Sequence, residues 1–325
     1  MIARRSIFAA FTGAAIVVSA LTEAIPQIAT DRPVTIIVPF TPGTGPDILA
    51  RIIGQELQKR WMQTFVIENK SGATGNLGAQ MVARSTPDGH TLMMTSNPFT
   101  ANTSLLKNIS YDPVHSFTPI IYVGVAALAL AVHPSIPVNS LAELIKYLKE
   151  RPDQINYGSP GIGGPHHLAM ELFRLRTGIE VRHVPYRGSA GALQDLIAGH
   201  VQMGFVPPHT SLQLAAQGQL RLLAVASKKR IEVAPKVPTF AEEGFPEIEV
   251  ELWYALLAPA GTPSDVVARY NAAINEILRS PEIVEKLDKQ GLIPVGGSPK
   301  QLSEFIEHDI VKWRDVITHA GISTE

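Results

Sequence analysis

The stretch from Val34 to Leu57 limits the fold more than any other part of the chain. Val34 to Phe40 is a short apolar run with the length of a buried parallel strand. Thr41 to Gly45 contains Pro42, Gly43 and Gly45, which is turn chemistry. From Pro46 onward, Ile48, Leu49, Ile52, Ile53 and Leu57 recur at helical spacing. A strand, a glycine-rich turn and a helix in that order aim backbone N–H groups and the positive helix end out of the turn. That is an anion site needing no charged side chain, and a small carboxylate is the expected occupant.

The device recurs. Ile155 to Gly158 reads as a strand, Ser159-Pro-Gly-Ile-Gly-Gly-Pro165 as the turn, and a helix follows to about Thr177. A further glycine-rich turn, Ser71 to Gly78, opens a helix over Ala79 to Arg84. It is read either as a tight connection or as a second wall of the first anion site. Strands are expected at Phe65–Glu68, His90–Thr95, Val181–Val184, Val201–Phe205, Leu220–Ala226 and Trp253–Ala258. Ser140-Leu-Ala-Glu143 has capping-box spacing and opens a helix to about Glu150. Amphipathic helices over Ser264–Leu278, Pro281–Gln290 and Pro299–Ala320 close the chain. Strands alternating with helices predict an α/β protein with mostly parallel strands. The apolar run from Pro119 to Val132 is expected to carry the chain from one sheet to a second. Ser96 and Asn97 follow a strand, at the edge where open α/β sheets bind ligands. They are candidate ligand donors, or local turn caps.

Composition removes several function classes. The net charge of −1 over 325 residues offers no basic field for nucleic acid. No cysteine is present, so disulfides, thiol catalysis and cysteine-based metal sites are excluded. His166, His167 and Glu171 lack an H-E-x-x-H pattern and a third ligand, so neither metal nor cofactor is expected. No G-x-S-x-G elbow or paired-carboxylate constellation marks a hydrolase, and the chain is read as no enzyme. Arg4 and Arg5 precede an apolar segment, Ser6 to Ala20, too short for a comfortable membrane span. Residues 1–24 are expected to be a cleaved signal peptide and the mature protein to be periplasmic.

Taken in order, these motifs resemble the Bug-type receptors, the periplasmic solute-binding proteins of tripartite tricarboxylate transport systems. The resemblance is carried by Val38-Pro-Phe40 with Pro42-Gly43, by Gly72 with Gly75-Asn76, and by Pro87-Asp-Gly89. It continues through Tyr111-Asp-Pro113, Tyr157-Gly-Ser159, His167-Leu-Ala169 and His183-Val-Pro-Tyr186 to Trp253-Tyr254 and Trp313. It implies a two-domain type II periplasmic binding protein whose domains are joined by crossing strands. Residues 32–125 with 250–325 would form one domain and residues 126–249 the other. The implied function is capture of a small organic carboxylate by hinge closure and delivery to a membrane permease. The alternatives are a sensor subunit for a signalling partner, or an exported hydrolase.

Carried onto this chain, the ligand-binding positions are Phe40, Thr41, Gly43, Thr44 and Asp47, with Ser159, Gly161, His167, Tyr186, Gly188 and Asp195 from the second domain. Three departures stand out. Thr44 replaces a common glycine, and its Cβ requires a negative φ or an N-cap role. With Asp47 it has capping-box spacing, so Asp47 is either a structural cap or a ligand contact. Gly164 replaces a frequent hydroxyl residue. Val206-Pro-Pro208 stands where many relatives carry Asp, which predicts a ligand with an aliphatic or aromatic tail.

Overall fold

The computed structural model describes residues 32–322. The expected signal peptide, residues 1–24, lies outside the described residues. Eleven strands and ten α-helices form two sheets among the described residues. The first half begins β1 (Val34–Val38), α1 (Gly45–Trp61), β2 (Phe65–Asn69), α2 (Asn76–Ala83), β3 (Thr91–Ser96) and α3 (Pro98–Leu105). Then β4 (Phe117–Ala127) runs, after Leu128 alone, into β5 (Ala129–Val132) of the second sheet. The second half continues with α4 (Leu141–Lys149), β6 (Asn156–Ser159), α5 (Pro165–Thr177), β7 (Arg182–Pro185), α6 (Ser189–Ala198), β8 (Met203–Val206), α7 (Pro208–Ala216) and β9 (Arg221–Val225). The chain returns in β10 (Glu251–Pro259) and ends with α8 (Ser264–Arg279), α9 (Pro281–Asp288), β11 (Ile293–Pro294) and α10 (Pro299–Ala320).

The two sheets share one plan. Both are mixed where mostly parallel strands were expected, because the chain crosses between the sheets in β4–β5 and returns in β10 antiparallel to the strands beside it. In the first, β2, β1 and β3 are parallel and β10 is antiparallel beside β3, in the order β11-β4-β10-β3-β1-β2. In the second, β7, β6 and β8 are parallel and β5 is antiparallel beside β8, in the order β7-β6-β8-β5-β9. In each, the middle strand of the parallel three comes first in the chain, and its neighbours follow on either side. The crevice between first and third strands is where open α/β sheets bind ligands. The two strand-turn-helix devices, β1–α1 and β6–α5, both open on such an edge.

Burial explains the apolar runs. Ile36, Ile37 and Val38 are buried on both faces of the first sheet, between α1 and α8 on one side and α2, α3 and α10 on the other. One apolar cluster runs unbroken from Ile36 and Leu256 into Tyr157 and Phe205 of the second sheet. At the crossing, Ala226 N–H donates to the Leu128 carbonyl (2.8 Å) and Val250 N–H to that of Ala226 (2.9 Å). The halves are thus joined through backbone hydrogen bonds. On α10, the buried Asp309 carboxylate accepts from the Thr100 hydroxyl (2.6 Å) and Trp253 Nε1 (2.9 Å), fixing that helix to α3 and β10.

Three elements were not expected. Pro98-Phe-Thr-Ala-Asn-Thr-Ser-Leu105 forms α3 without a polar–apolar period, because nearly all its side chains are buried. Pro208 to Ala216 forms α7 where only a Pro-Pro loop was read. β11 is two residues long, below what periodicity detects. The Ser140 box is half formed: Ser140 Oγ accepts from Glu143 N–H (3.2 Å), but Glu143 reaches Asn139 N–H (2.6 Å) rather than that of Ser140.

Candidate ligand-binding site

The first loop is shaped by Asp47. Its Oδ2 accepts from Gly43 N–H (2.9 Å) and Arg51 Nε (3.1 Å), and its Oδ1 from Asn69 Nδ2 (3.0 Å). Asn69 Nδ2 also donates to the Phe40 carbonyl (3.1 Å). The carboxylate is 3% exposed and holds both arms of the turn to β2. Burial opposes its charge, but the bonds from Arg51, Gly43 and Asn69 prevail and hold the carboxyl below the ordinary aspartate range. Gly43 sits at φ +81°, left-handed backbone in which a side chain is strained.

Thr44 is the N-cap residue of α1 at φ −79°, so its Cβ is accommodated. It does not cap with its side chain. Its hydroxyl turns back to the Thr41 carbonyl (2.8 Å), and Asp47 reaches Gly43 instead of Thr44, so the expected capping box is absent. The α1 N-terminus is therefore left without a side-chain acceptor. Thr41 and Gly43 are exposed and Phe40 is half-buried.

The second loop is held by neutral groups. Ser159 Oγ lies 2.6 Å from His183 Nε2, accepts from Gly161 N–H (3.3 Å), and lies 3.0 Å from the Gly161 carbonyl. His183 stacks on His167 (centroids 4.0 Å apart, planes 8°) and on Tyr157 (4.7 Å, 15°). Gly163 N–H donates to His167 Nδ1 (2.9 Å), which places the proton of the neutral ring on Nε2, 3.8 Å from Glu171 Oε1. Glu171 is paired with Arg174 (2.6 Å) and accepts from the Tyr157 hydroxyl (2.5 Å). Burial lowers His167 and His183 to about 4, helped at His183 by its stacked neighbour, so both are neutral at pH 7. Gly188 N–H donates to the Pro160 carbonyl (3.0 Å) and Tyr186 N–H to that of Ser159 (2.9 Å), joining the β7–α6 loop to this one. The Tyr186 hydroxyl donates to Asp195 (2.5 Å), which also meets His200 (3.2 Å). These two contacts hold the Asp195 carboxyl below its usual range, while burial and Asp195 push Tyr186 up to about 12.

Like α1, α5 has proline in its first turn and no side-chain cap, since its N-cap residue is Gly164. Among the described helices only α4 and α10 have a side-chain cap, from Ser140 and Ser298, so the uncapped start is shared with α2, α3, α6, α7, α8 and α9 and does not by itself mark a site. A run of contacts links the loops. Phe40 packs on Gly75, Asn102 Nδ2 donates to the Thr74 carbonyl (3.1 Å), and Leu105 of the same helix lies against Gly163. Ala73 and Thr74 in this wall are left-handed, at φ +46° and +51°, a strain of about 1 kcal/mol or more each that their surroundings hold in place.

The structure thus gathers Phe40 to Asp47 into one loop and Ser159, Gly161, His167, Tyr186, Gly188 and Asp195 into a neighbouring pair of loops. Ser96 and Asn97 lie at the end of β3. Asn97 Oδ1 accepts from Ser96 Oγ and Trp253 N–H (3.1 Å each), and Asn97 Nδ2 donates to the Glu251 carbonyl (3.0 Å), tying β3 to β10. His183 was not among the expected site residues. Its partner Ser159 is distant in sequence and reaches it through the parallel β6–β7 register, Tyr157 opposite His183. Two open concavities of about 580 and 510 Å³, on α4 and beside α7, contain none of these residues.

The profile described as "Tripartite tricarboxylate transporter family receptor" matches residues 49–322. The chain belongs to this receptor family. It is similar to protein BugT of Bordetella pertussis, 37% identical over 292 residues, which are 89% of this chain and 90% of BugT. The receptor also resembles a Rhodopseudomonas palustris protein solved with adipate (TM-score 0.84, 38% identity, 90% and 98% of the two chains). A second R. palustris structure, MatC with bound malate, superposes on it with TM-score 0.79 at 30% identity, covering 88% and 99%. These likenesses establish a Bug-type solute-binding receptor with the type II periplasmic binding fold.

Proposed function

We propose that this receptor captures a small organic carboxylate in the periplasm, between the β1–α1 and β6–α5 loops, and delivers it to a membrane permease. The observation carrying this reading is the repeated strand, glycine-rich turn and helix, β1–α1 and β6–α5, each following the middle parallel strand on the ligand edge of its sheet. Residues 32–125 with 250–325 would move against residues 126–249 about the crossing at Leu128, Ala226 and Val250, so that capture is hinge closure. Backbone N–H groups of Phe40 to Gly45 and of Ser159 to His167 meet the ligand. Asp47, His167, His183 and Asn97 hold those loops and strands in place. Val206 and Pro207 at the end of β8 favour an aliphatic spacer over a third polar group, in keeping with the adipate of the R. palustris relative.

A melting-temperature screen of the mature receptor against mono-, di- and tricarboxylates tests the reading. A true ligand at about 100 times its Kd adds about 2.7 kcal/mol and raises the melting temperature by several degrees. Linear dicarboxylates should outrank citrate. No response to any organic acid, or turnover of a carboxylate ester, would overturn it. Delivery is tested by uptake: cells lacking the receptor but keeping the permease should fail to accumulate the acid.

A further inference from the structure

Tyr254 lies on β10, directly opposite Ser96 at the ligand edge of β3. The residue is 3% exposed, and its ring belongs to the core that packs under α1. Three other deeply buried tyrosines have their hydroxyls bonded: Tyr111 to the Phe99 carbonyl (3.2 Å), Tyr157 to Glu171 (2.5 Å) and Tyr270 to the Gly89 carbonyl (2.9 Å). The Tyr254 hydroxyl has no hydrogen-bond partner among the described residues. Phenols this buried are bonded as a rule, but the Tyr254 oxygen is not among the fully enclosed unpaired polar atoms and so keeps contact with solvent. The unpaired oxygen has a definite aim. It sits 2.4 Å from where a Cβ would stand on Gly45, the first helical residue of α1. Gly45 is not among the glycines with positive φ, so conformation alone does not require glycine there. Space does: any side chain would occupy the position of the phenol oxygen.

We propose that Tyr254 is a ligand-binding residue, whose hydroxyl donates to a carboxylate oxygen held at the N-terminus of α1, and that Gly45 is bare to admit it. This inference rests on the carboxylate reading above. Burial pushes the phenol well above its ordinary value, so it keeps its proton and acts as a donor throughout the working pH range. A carboxylate there accepts from the helix N-terminus on one side and from the phenol on the other. The receptor then recognises the anion without a cation in contact with it.

The experiment compares wild type, Tyr254→Phe and Gly45→Ala by calorimetry. The probe is whichever of succinate, glutarate, adipate and malate raises the wild-type melting temperature most, with the matching diamide as a neutral control. Tyr254→Phe keeps the ring and should leave the ligand-free melting temperature close to that of wild type. It should bind the dicarboxylate about 10- to 100-fold more weakly, as for loss of a hydrogen bond to a charged group. Its small affinity for the diamide should change far less. Ligand should also perturb the tyrosine ultraviolet spectrum of wild type, and that change should vanish in Tyr254→Phe. Gly45→Ala, which displaces the phenol, should weaken binding in the same direction. Dicarboxylate affinity within threefold of wild type in Tyr254→Phe would overturn the role of Tyr254 and leave the carboxylate reading standing. A wild type that binds none of the mono-, di- and tricarboxylates of the screen would overturn both.

Discussion

The two loops that face the candidate site are built to one plan and held by opposite chemistry. Behind the first, a buried carboxylate gathers the Gly43 N–H, the Asn69 amide and the Arg51 guanidinium. Behind the second, a serine hydroxyl and two stacked neutral imidazoles do the holding, and the Glu171–Arg174 pair stands one layer back. The first loop is exposed at Thr41 and Gly43, whereas Ser159 in the second is wholly buried. Both anchors are buried, so the charge of Asp47 is desolvated and is compensated by the three donors it gathers, while the neutral groups of the second loop need no such compensation. The two helix starts differ accordingly: Asp47 places a carboxylate in the first turn of α1, whereas the first turn of α5 carries no acidic residue.

Replacing Asp47 by Ala breaks this comparison most forcefully. It strands the Gly43 N–H, the Asn69 amide and Arg51 together, and should cost roughly 3 kcal/mol in denaturant unfolding and abolish ligand binding. Ser159→Ala should cost no more than about 1 kcal/mol. Equal losses would show that the loops are held alike. Gly43→Leu should come next, at about 1–2 kcal/mol for a side chain forced into the left-handed region. Nothing lies within 4 Å of the new Cβ, so the protein stays folded while the ligand is lost. If Gly43→Leu binds normally, the anion lies elsewhere.

A smaller effect is expected of His183→Phe. The ring stack survives and the contact with Ser159 is lost, so stability should fall by about 1 kcal/mol, with a several-fold loss of affinity measured by calorimetry. Acid separates the loops by window rather than by size. His167 and His183 titrate near 4 when folded and near 6.5 when unfolded. Between those values the unfolded chain binds more protons, so the neutral rings' contribution is full above about pH 6.5 and lost progressively as pH falls toward 4. Asp47 is depressed, so its contribution is present above the ordinary aspartate range, about 3.8, and is lost only as pH falls through its lower folded value. Amide exchange followed from pH 7 to pH 4 should therefore loosen Ser159–His167 while Phe40–Asp47 stays protected, once corrected for intrinsic rates. Simultaneous loosening would count against the division.

What the sequence made legible follows from where its information is local. β1, its turn and α1 are written in adjacent residues, as are β6, Ser159 to Pro165 and α5, and both devices were read from turn residues and spacing. The fold class and receptor family followed from motifs in order along the chain. The anchors were less legible, because each reaches across a strand pairing. Asp47 meets Asn69 only once β1 and β2 pair, and Ser159 meets His183 only once β6 and β7 pair. The Thr44–Asp47 spacing pointed to a box the structure does not make, since Gly43 in the left-handed region turns its own N–H to the carboxylate. The complete box is at Ser298 and Gln301, where the helix start faces no site. α3 stayed hidden because its burial on nearly all sides erases the period that marks a helix.

The return of β10 between β3 and β4 gives the first sheet a central strand that is made late. This strand is central to the first sheet, yet it follows every strand of the second sheet in the chain. A nascent chain that stops short of Glu251 exposes the edges of both β3 and β4, two apolar strands with nothing between them. The second sheet, contiguous from Ala129 to Val225, is able to close first. The first sheet is completed only by the carboxyl-terminal quarter of the chain, and until then its open apolar edges are exposed to misassembly.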